Sequence, residues 1–157
     1  GMDIVAGFSP ATSTILKTNK SVESVATTVG NFPAEKSFPS TWVASNKWIE
    51  ENPGVAQNFI NALYEAALWR SENMEAAMKS GEMLSQKPAG SFDSTNLVAP
   101  SKADYQKWFA SKTDQGYTYM KALYNSRVGN VPKGNPVKTF DEAFNDTFIT
   151  TAIKNIR

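Results

Sequence analysis

The sequence contains neither cysteine nor histidine, and each absence removes a class of chemistry. Without cysteine among its 157 residues, the chain has no disulfide, no thiolate nucleophile and no cysteine-ligated metal site. Without histidine, it lacks the most frequent general base and the most frequent zinc ligand. Catalysis by carboxylates or by lysine stays open as an alternative, and we expect no enzymatic activity, no metal site and no cofactor.

An excess of charge of one sign and long apolar runs are missing as well. The 16 basic and 15 acidic residues leave a net charge of +1, and no run of like charge indicates a nucleic-acid or anionic-membrane partner. No stretch approaches the roughly 20 apolar residues that cross a bilayer, and these residues show no signal-peptide pattern. The composition, 41% hydrophobic and 20% charged, is typical of a globular domain.

Short apolar segments, separated by turn and cap residues, make up the first part of the chain. Residues 3–8 predict a buried strand, after which Ser9 and Pro10 are a suitable N-cap and first helical residue. Residues 22–29 are β-branched and alternating, which predicts a second strand, and residues 40–44 are a third candidate. Strand, helix and strand in this order indicate a parallel crossover and an α/β fold.

From about residue 46 onward the pattern is almost wholly helical. Asn52 as a cap and Pro53 as first residue predict the start of a long helix, and Ser71 predicts the start of a second. Capping boxes that begin at Ser101 and Thr139 predict two further helix starts. The last helix is predicted to present four apolar residues at i, i+4 steps, namely Phe140, Phe144, Phe148 and Ala152.

Four short motifs are spread over nearly the whole chain. They are AGFSP at residues 6–10, PSTWVASNKWIEENP at 39–53, FINALYEAA at 59–67 and VKTFDEAF at 137–144. In order and spacing they resemble the periplasmic solute-binding proteins of the nitrate, sulfonate and taurine ABC importer family. That family often has an aromatic residue, an acid and a proline at the first motif, where this chain has Ser9 in place of the acid.

The resemblance implies a fold and a division of the chain. It implies the helix-rich C-terminal portion of a periplasmic-binding-protein-like α/β fold, preceded by a short strand–helix–strand unit. Residues 1–38 would be the strand–helix–strand remnant of the second lobe. Residues 39–157 would be the crossing strand and the helical C-terminal part of the first lobe. The first half of the fold would then lie outside these residues.

The resemblance also implies a function. The chain would be a substrate-binding component, or a fragment of one, of an ABC importer for a small anion such as a sulfonate, taurine or nitrate. Its partners would be that anion and the permease, and its location periplasmic or extracellular and membrane-associated. Because half of the fold is expected elsewhere, apolar surface would be uncovered. We therefore expect a homo-oligomer that binds anions only weakly.

Two segments contain the candidate ligand-binding residues. Ser9 and Pro10, at a helix start, would offer free N–H groups and the positive end of the helix dipole to an anion. Phe8 and Trp42 would be apolar walls of the cleft, and Ser40 completes the predicted set. The alternatives are that Ser9 only caps its own helix and that both aromatic residues pack in the core.

Other charged and aromatic side chains have simpler interpretations. Paired-carboxylate catalysis would need two acids in one cleft, whereas five glutamates are predicted on exposed helix faces, namely Glu50, Glu51, Glu65, Glu72 and Glu75. Three lysines near the crossover could attract an anion or lie on the plain surface, namely Lys17, Lys20 and Lys36. Five aromatic residues could stack on a ligand or pack between helices, namely Trp48, Trp69, Tyr105, Trp108 and Tyr117. The alternative function is a helical interaction domain that self-associates.

The capping box at residue 139 generates a stability prediction. Thr139→Ala should lower the free energy of unfolding by about 0.5–2 kcal/mol, because a lost N-cap leaves backbone donors of the first helical turn unsatisfied. Glu142 should accept a hydrogen bond from the backbone N–H of Thr139. Thermal unfolding followed by circular dichroism measures the change, and an unaltered transition would show that no cap is present.

Overall fold

The computed structural model describes residues 4–7, 11–25, 41–92, 94 and 99–156. Within these ranges, eight helices follow one another and no residue lies in a strand. The helices are α1 (Ala11–Thr18), α2 (Asn46–Glu51), α3 (Pro53–Glu72), α4 (Met74–Leu84), α5 (Lys102–Phe109), α6 (Gln115–Val128), α7 (Phe140–Ala143) and α8 (Thr147–Asn155). The prediction that helix dominates after residue 46 is confirmed.

The predicted α/β fold class is wrong, because the described residues contain helices and no strand–helix–strand unit. Residues 4–7, 22–25 and 41–44 belong to the three predicted strands and are neither helical nor paired. The remaining residues of those predicted strands lie outside the described residues. The β-branched alternation is a preference for a pleated, half-buried surface, and it forms a strand only when a neighbouring strand takes up the backbone hydrogen bonds.

The apolar side chains of these three segments therefore face solvent. Ile4, Val25 and Val43 are 82%, 79% and 90% exposed. Only the first of the three was predicted to be buried, and that prediction is wrong for residues 4–7. The exposure of all three segments shows that high β-propensity alone does not create a sheet.

The chain divides into two compact units. The first unit comprises Gly1–Ala26 and Trp69–Ala99, and the second comprises Thr27–Leu68 and Pro100–Arg157. Most of helix α3 therefore belongs to the second unit. The boundary predicted at residue 38 falls outside the described residues and stays a prediction.

In the first unit, a buried carboxylate holds the loop after α4. Glu82 accepts a hydrogen bond of 2.8 Å from the backbone N–H of Phe92. This bond, with weaker ones from Gly90 and Ser91, holds the pKa of Glu82 below its ordinary value despite its burial. Lys17 of α1 donates to the Gly90 carbonyl at 3.2 Å. The Glu82 carboxylate therefore holds the loop to α4, and the Lys17 ammonium group holds it to α1.

The second unit is organised around one buried aromatic ring. Tyr64 of α3 packs against Ala152 and Ile153 of α8, and its ring meets Tyr105 of α5 edge-on at 5.1 Å between centroids. Partly buried side chains that surround this cluster are Ile60, Leu68, Phe109, Ile149 and Ile156. A buried aromatic ring removes about 150–250 Å² from water, so this contact is the main hydrophobic anchor of the unit.

Both predicted capping boxes are confirmed. The backbone N–H of Ser101 donates to Asp104 at 2.8 Å, and the N–H of Asp104 donates back to the Ser101 hydroxyl at 3.3 Å. The backbone N–H of Thr139 donates to the Glu142 carboxylate at 2.7 Å, as expected. Thr139→Ser keeps the hydroxyl and is the matched control for Thr139→Ala.

The predicted start of the long helix is correct at Pro53, whereas the predicted start of the next helix at Ser71 is wrong. Pro53 is the first residue of α3, as expected, but the Asn52 side chain donates to the Trp48 carbonyl at 3.0 Å and so closes α2. Ser71 lies inside α3, and Asn73 is the residue that separates α3 from α4. In both cases an asparagine ends the preceding helix.

The single terminal helix predicted from the phenylalanine spacing is two helices, α7 and α8. The chain is extended at Phe144, and the Asn145 side chain accepts a hydrogen bond of 3.0 Å from the N–H of Thr147. This local bond offers the backbone an alternative to continuing the helix. Phe140 and Phe148 therefore lie on different helices.

Close packing at the start of α6 predicts an effect of one added methyl group. A Cβ at Gly116 would lie 2.8 Å from both the Cβ and the carbonyl oxygen of Trp108. Gly116→Ala should therefore lower the free energy of unfolding by about 1–3 kcal/mol. Gly54→Ala is the control, because a Cβ there meets nothing within 4 Å and a helix favours alanine over glycine by about 1 kcal/mol. Urea unfolding measures both, and equal effects would contradict the packing argument.

Candidate functional site

One of the five predicted ligand-binding residues falls within the described part of the chain. Trp42 is 72% exposed, and its indole stands edge-on to the ring of Phe59 at 5.1 Å between centroids. It is therefore a surface residue, and the core-packing alternative is wrong for it. The other four lie outside the described residues and stay predictions, namely Phe8, Ser9, Pro10 and Ser40.

The remaining residues of interest divide between surface and interior. All five glutamates considered for paired-carboxylate chemistry are exposed, as predicted. Tyr117 is buried, whereas Trp48 and Trp69 are exposed, so helix packing does not cover those two indoles. Lys17 contacts a carbonyl of its own unit, Lys20 is exposed, and Lys36 lies outside the described residues.

An open groove of about 490 Å³ lies in the second unit. It is lined by residues of α5, of the turn after α5, and of α8 with the residue before it. Its charged side chains are Lys102, Lys112, Asp146 and Lys154, and we call it the lysine groove. Phe109 and Ile153 give it an apolar floor that continues into the core around Tyr64.

Each lysine of the groove is positioned by the end of a helix. Lys102 is the first residue of α5, and its ammonium donates to the carbonyl of Ile156 at 2.8 Å, which ties the start of α5 to the end of α8. Lys154 lies in the last turn of α8, where the helix dipole favours a cation. Lys112 follows α5, and its ammonium lies 5.9 Å from the centroid of the Tyr117 ring.

The groove has an excess of positive charge. Three lysines against one aspartate leave two positive charges. Among the described residues, no ion pair within 4.0 Å joins Asp146 to any of these lysines, so the aspartate does not neutralise them directly. A concave surface lined by positive charge concentrates the electric field and attracts small anions. This attraction weakens as salt is added.

The polar groups that line the groove are mostly ammonium and hydroxyl groups. Asp146 is the one carboxylate among them, whereas paired-carboxylate chemistry uses two with separated pKa values. The hydroxyl of Thr150 donates to the Asp146 carbonyl at 3.0 Å, and that of Ser111 is held by Asp114 at 3.0 Å. These hydroxyl donors are already committed, which leaves the ammonium groups and the Gln106 amide to meet a ligand.

A tyrosine–aspartate pair lies next to Lys112. The Tyr117 hydroxyl donates to the Asp141 carboxylate, and Lys121 approaches the same carboxylate at 3.5 Å. The hydrogen bond to Asp141, with burial, raises the pKa of Tyr117 to about 12. The same bond lowers the pKa of Asp141. The pair joins α6 to α7 and fixes the ring against which Lys112 rests.

Sequence reasoning did not find the lysine groove. Its lysines are 10 and 42 residues apart along the chain, so no local motif contains them. The sequence offered only a weak signal for the groove. Lys102 lies next to the predicted helix start at Ser101, and Lys154 lies in the terminal helix. Only the packing of α5 on α8 brings them together.

Two further site classes find no support in the described residues. They contain no group of three or more acidic, histidine or cysteine side chains that would hold a metal ion. None of the helices described is both long enough and apolar enough to span a membrane.

The Tyr117–Asp141 bond predicts a loss of stability in alkali. The pKa of Tyr117 is about 12 in the folded chain, against an ordinary value of 10.0, so folding favours the protonated tyrosine. This contribution is fully present below pH 10.0 and is lost as the pH rises toward 12. Tyr117→Phe should therefore flatten the fall in the free energy of unfolding over that range. Chemical unfolding at several alkaline pH values tests this, and parallel curves for both proteins would contradict it.

Compared with protein-family models, with curated proteins and with solved structures, the chain matches none. The resemblance to solute-binding proteins therefore stays a prediction, and no family membership follows. The lysine groove, with its positive charge and its apolar lining, is the feature of the described residues that points to a function.

Proposed function

We propose that the chain is a non-enzymatic binding component that captures a small anion such as a sulfonate, taurine or nitrate. One observation carries the proposal: three lysines from separate parts of the chain converge on one open groove that contains a single carboxylate. By its resemblance to the solute-binding proteins, the chain would deliver the anion to the permease of an ABC importer.

The expected affinity is low, because the groove is open to water. A unit charge pair 4 Å apart in bulk water is worth about 1 kcal/mol, and three such contacts give about 3 kcal/mol. A dissociation constant of about 1 mM corresponds to about 4 kcal/mol, so binding should be millimolar and should weaken with salt.

The lining of the groove favours an amphiphilic anion. Phe109 and Ile153 offer apolar surface beside the ammonium groups of Lys112 and Lys154. An alkyl chain that covers this floor gains up to about 0.8 kcal/mol for each buried CH₂ group. Alkanesulfonates should therefore bind more tightly as the chain lengthens, whereas nitrate gains nothing from the floor.

Titration with anions tests the proposal. Lys154→Ala should weaken binding of butanesulfonate about fivefold, the factor that corresponds to one lost contact of about 1 kcal/mol. Nuclear magnetic resonance suits millimolar affinities, and the resonances that move should come from α5 and α8. Lys133→Ala is the matched control, because Lys133 is exposed, lies outside the groove and carries the same charge.

Three results would count against anion capture at this site. They are equal weakening by the Lys154 and Lys133 variants, shifts spread over the whole chain, and affinity that is independent of alkyl length. The first two indicate nonspecific attraction to lysines. The third removes the role of the apolar floor.

Self-association is a second candidate function, and a different observation favours it. The second unit exposes large apolar side chains around the start of α3, including Trp42, Val43 and Phe59. Clustered apolar surface of this kind marks an interaction site more often than an isolated exposed residue does. The chain would then act as a helical interaction domain that binds a second copy of itself.

A further inference from the structure

In the first unit, the chain folds back on α4 directly after that helix ends. Gln86 adopts a left-handed backbone with a φ of 53°, and the N–H of Lys87 donates to the Glu82 carbonyl at 2.8 Å. A left-handed residue just past a helix reverses the direction of the chain. The segment that returns along α4 comprises residues 87–92, and we call it the latch.

Inside the latch, a tight turn directs the chain toward α4. The N–H of Ser91 donates to the Pro88 carbonyl at 3.1 Å, and Gly90 has a φ of 78°. A positive φ at the third position defines a type II turn and favours glycine there. The turn brings the N–H of Phe92 to the carboxylate of Glu82, although the two residues are 10 positions apart in the sequence.

Two contacts hold the latch against α4. The Glu82 carboxylate accepts the N–H of Phe92 at 2.8 Å, and among the described residues Glu82 is the one charged residue that is buried. The ring of Phe92 lies against Gly81, where a Cβ atom would come within 2.7 Å of the ring's Cε2 atom. The absence of a side chain at Gly81 therefore allows the ring to approach the helix.

A third contact joins the latch to α1. The Lys17 ammonium group donates to the Gly90 carbonyl at 3.2 Å. A groove of about 440 Å³ is lined by three residues of α1 and two of the latch, namely Ala11, Thr14, Ile15, Lys87 and Ser91. The latch therefore contacts both α4 and α1 and forms one side of this groove.

We propose that the latch opens in acid, because protonation of Glu82 releases residues 87–92 from α4 and so opens the groove beside α1. A carboxylate accepts a charge-assisted hydrogen bond, which is roughly twice as strong as a bond to a neutral acceptor. A protonated carboxyl group also has a donor of its own, which needs a partner when it is buried. The inference does not depend on the lysine groove, which belongs to the second unit.

The charges around Glu82 favour its ionised form. In the described part of the first unit, the charged groups that act on it are Lys17 of α1 and Lys79, one turn earlier on α4. The latch has one charged side chain, Lys87, which lines the groove. Because all three lysines stay charged in acid, the change with pH comes from the carboxyl group itself.

The direction of the pH effect follows from the bond to Phe92. This bond is the main reason that the pKa of Glu82 lies below its ordinary value of 4.5 in the folded chain. Folding therefore favours the carboxylate, and the stabilisation is fully present above pH 4.5. It is lost as the pH falls through the lowered pKa, so the latch is closed at neutral pH and opens in acid.

Nuclear magnetic resonance of the full chain, titrated from neutral pH into acid, tests the latch. The protection factor of the Phe92 amide corrects for the intrinsic pH dependence of exchange, and it should fall about tenfold while amides of α3 keep theirs. Glu82→Gln should show the low value already at neutral pH, without pH dependence. Glu75→Gln is the matched control, because Glu75 is exposed on the same helix and loses the same charge.

A further variant tests the packing contact separately. Gly81→Ala would place a methyl group against the Phe92 ring, so the Phe92 amide should lose protection severalfold at neutral pH. Helix α4 itself should not weaken, because a helix favours alanine over glycine. The pH dependence that remains should still be removed by Glu82→Gln in the double variant.

Three results would overturn the acid-opened latch. They are Phe92 protection that stays constant in acid, a Glu82→Gln chain that keeps the pH profile of the unaltered protein, and loss of protection in α3 at the same pH as in Phe92. The last result would show that acid unfolds the chain as a whole. The pH profile of the unaltered protein decides the question even if Glu82→Gln fails to fold.

Discussion

The burial of the Tyr64 ring between α5 and α8 is the contact on which the second unit depends. The ring is almost wholly removed from water and meets Tyr105 on one side and Ala152 on another. The lysine groove depends on this contact too, because Ile153 packs on Tyr64 and also lines the groove.

The two candidate surfaces use different physical forces. The lysine groove brings three lysines together with one aspartate, so it acts at a distance and responds to salt. The exposed apolar side chains around the start of α3, including Trp42, Val43 and Phe59, act only on contact, so association through them depends on concentration. They lie on different sets of residues, and occupation of one does not require occupation of the other.

Local features were predictable from the sequence, whereas the assembly of distant features was not. The boxes at Ser101 and Thr139 were found because each depends on residues three positions apart. The strands were wrong because residues 22–25 and 41–44 have strand propensity, but pairing needs a neighbour that no local pattern supplies. The break between α7 and α8 was missed because one asparagine side chain overrides a regular phenylalanine spacing.

The candidate site follows the same rule. The lysines of the groove have ordinary surroundings in the sequence, and their meaning comes only from the packing of α5 on α8. The five residues predicted from the resemblance came instead from motif order, and only Trp42 among them is described. A site assembled from distant helix ends is invisible to motif reasoning, whereas a helix cap is not.

The bond from Lys102 to the carbonyl of Ile156 has a consequence for the end of the chain. One ammonium group serves two purposes there: it donates to the partly buried carbonyl of Ile156 just beyond α8, and its side chain lines the groove. An anion that draws this ammonium toward itself would leave that carbonyl to water, and the last turn of α8 would fray more often. Order at the end of α8 and occupancy of the groove are then thermodynamically linked, so amide hydrogen exchange in that turn would report the ligand from a neighbouring position.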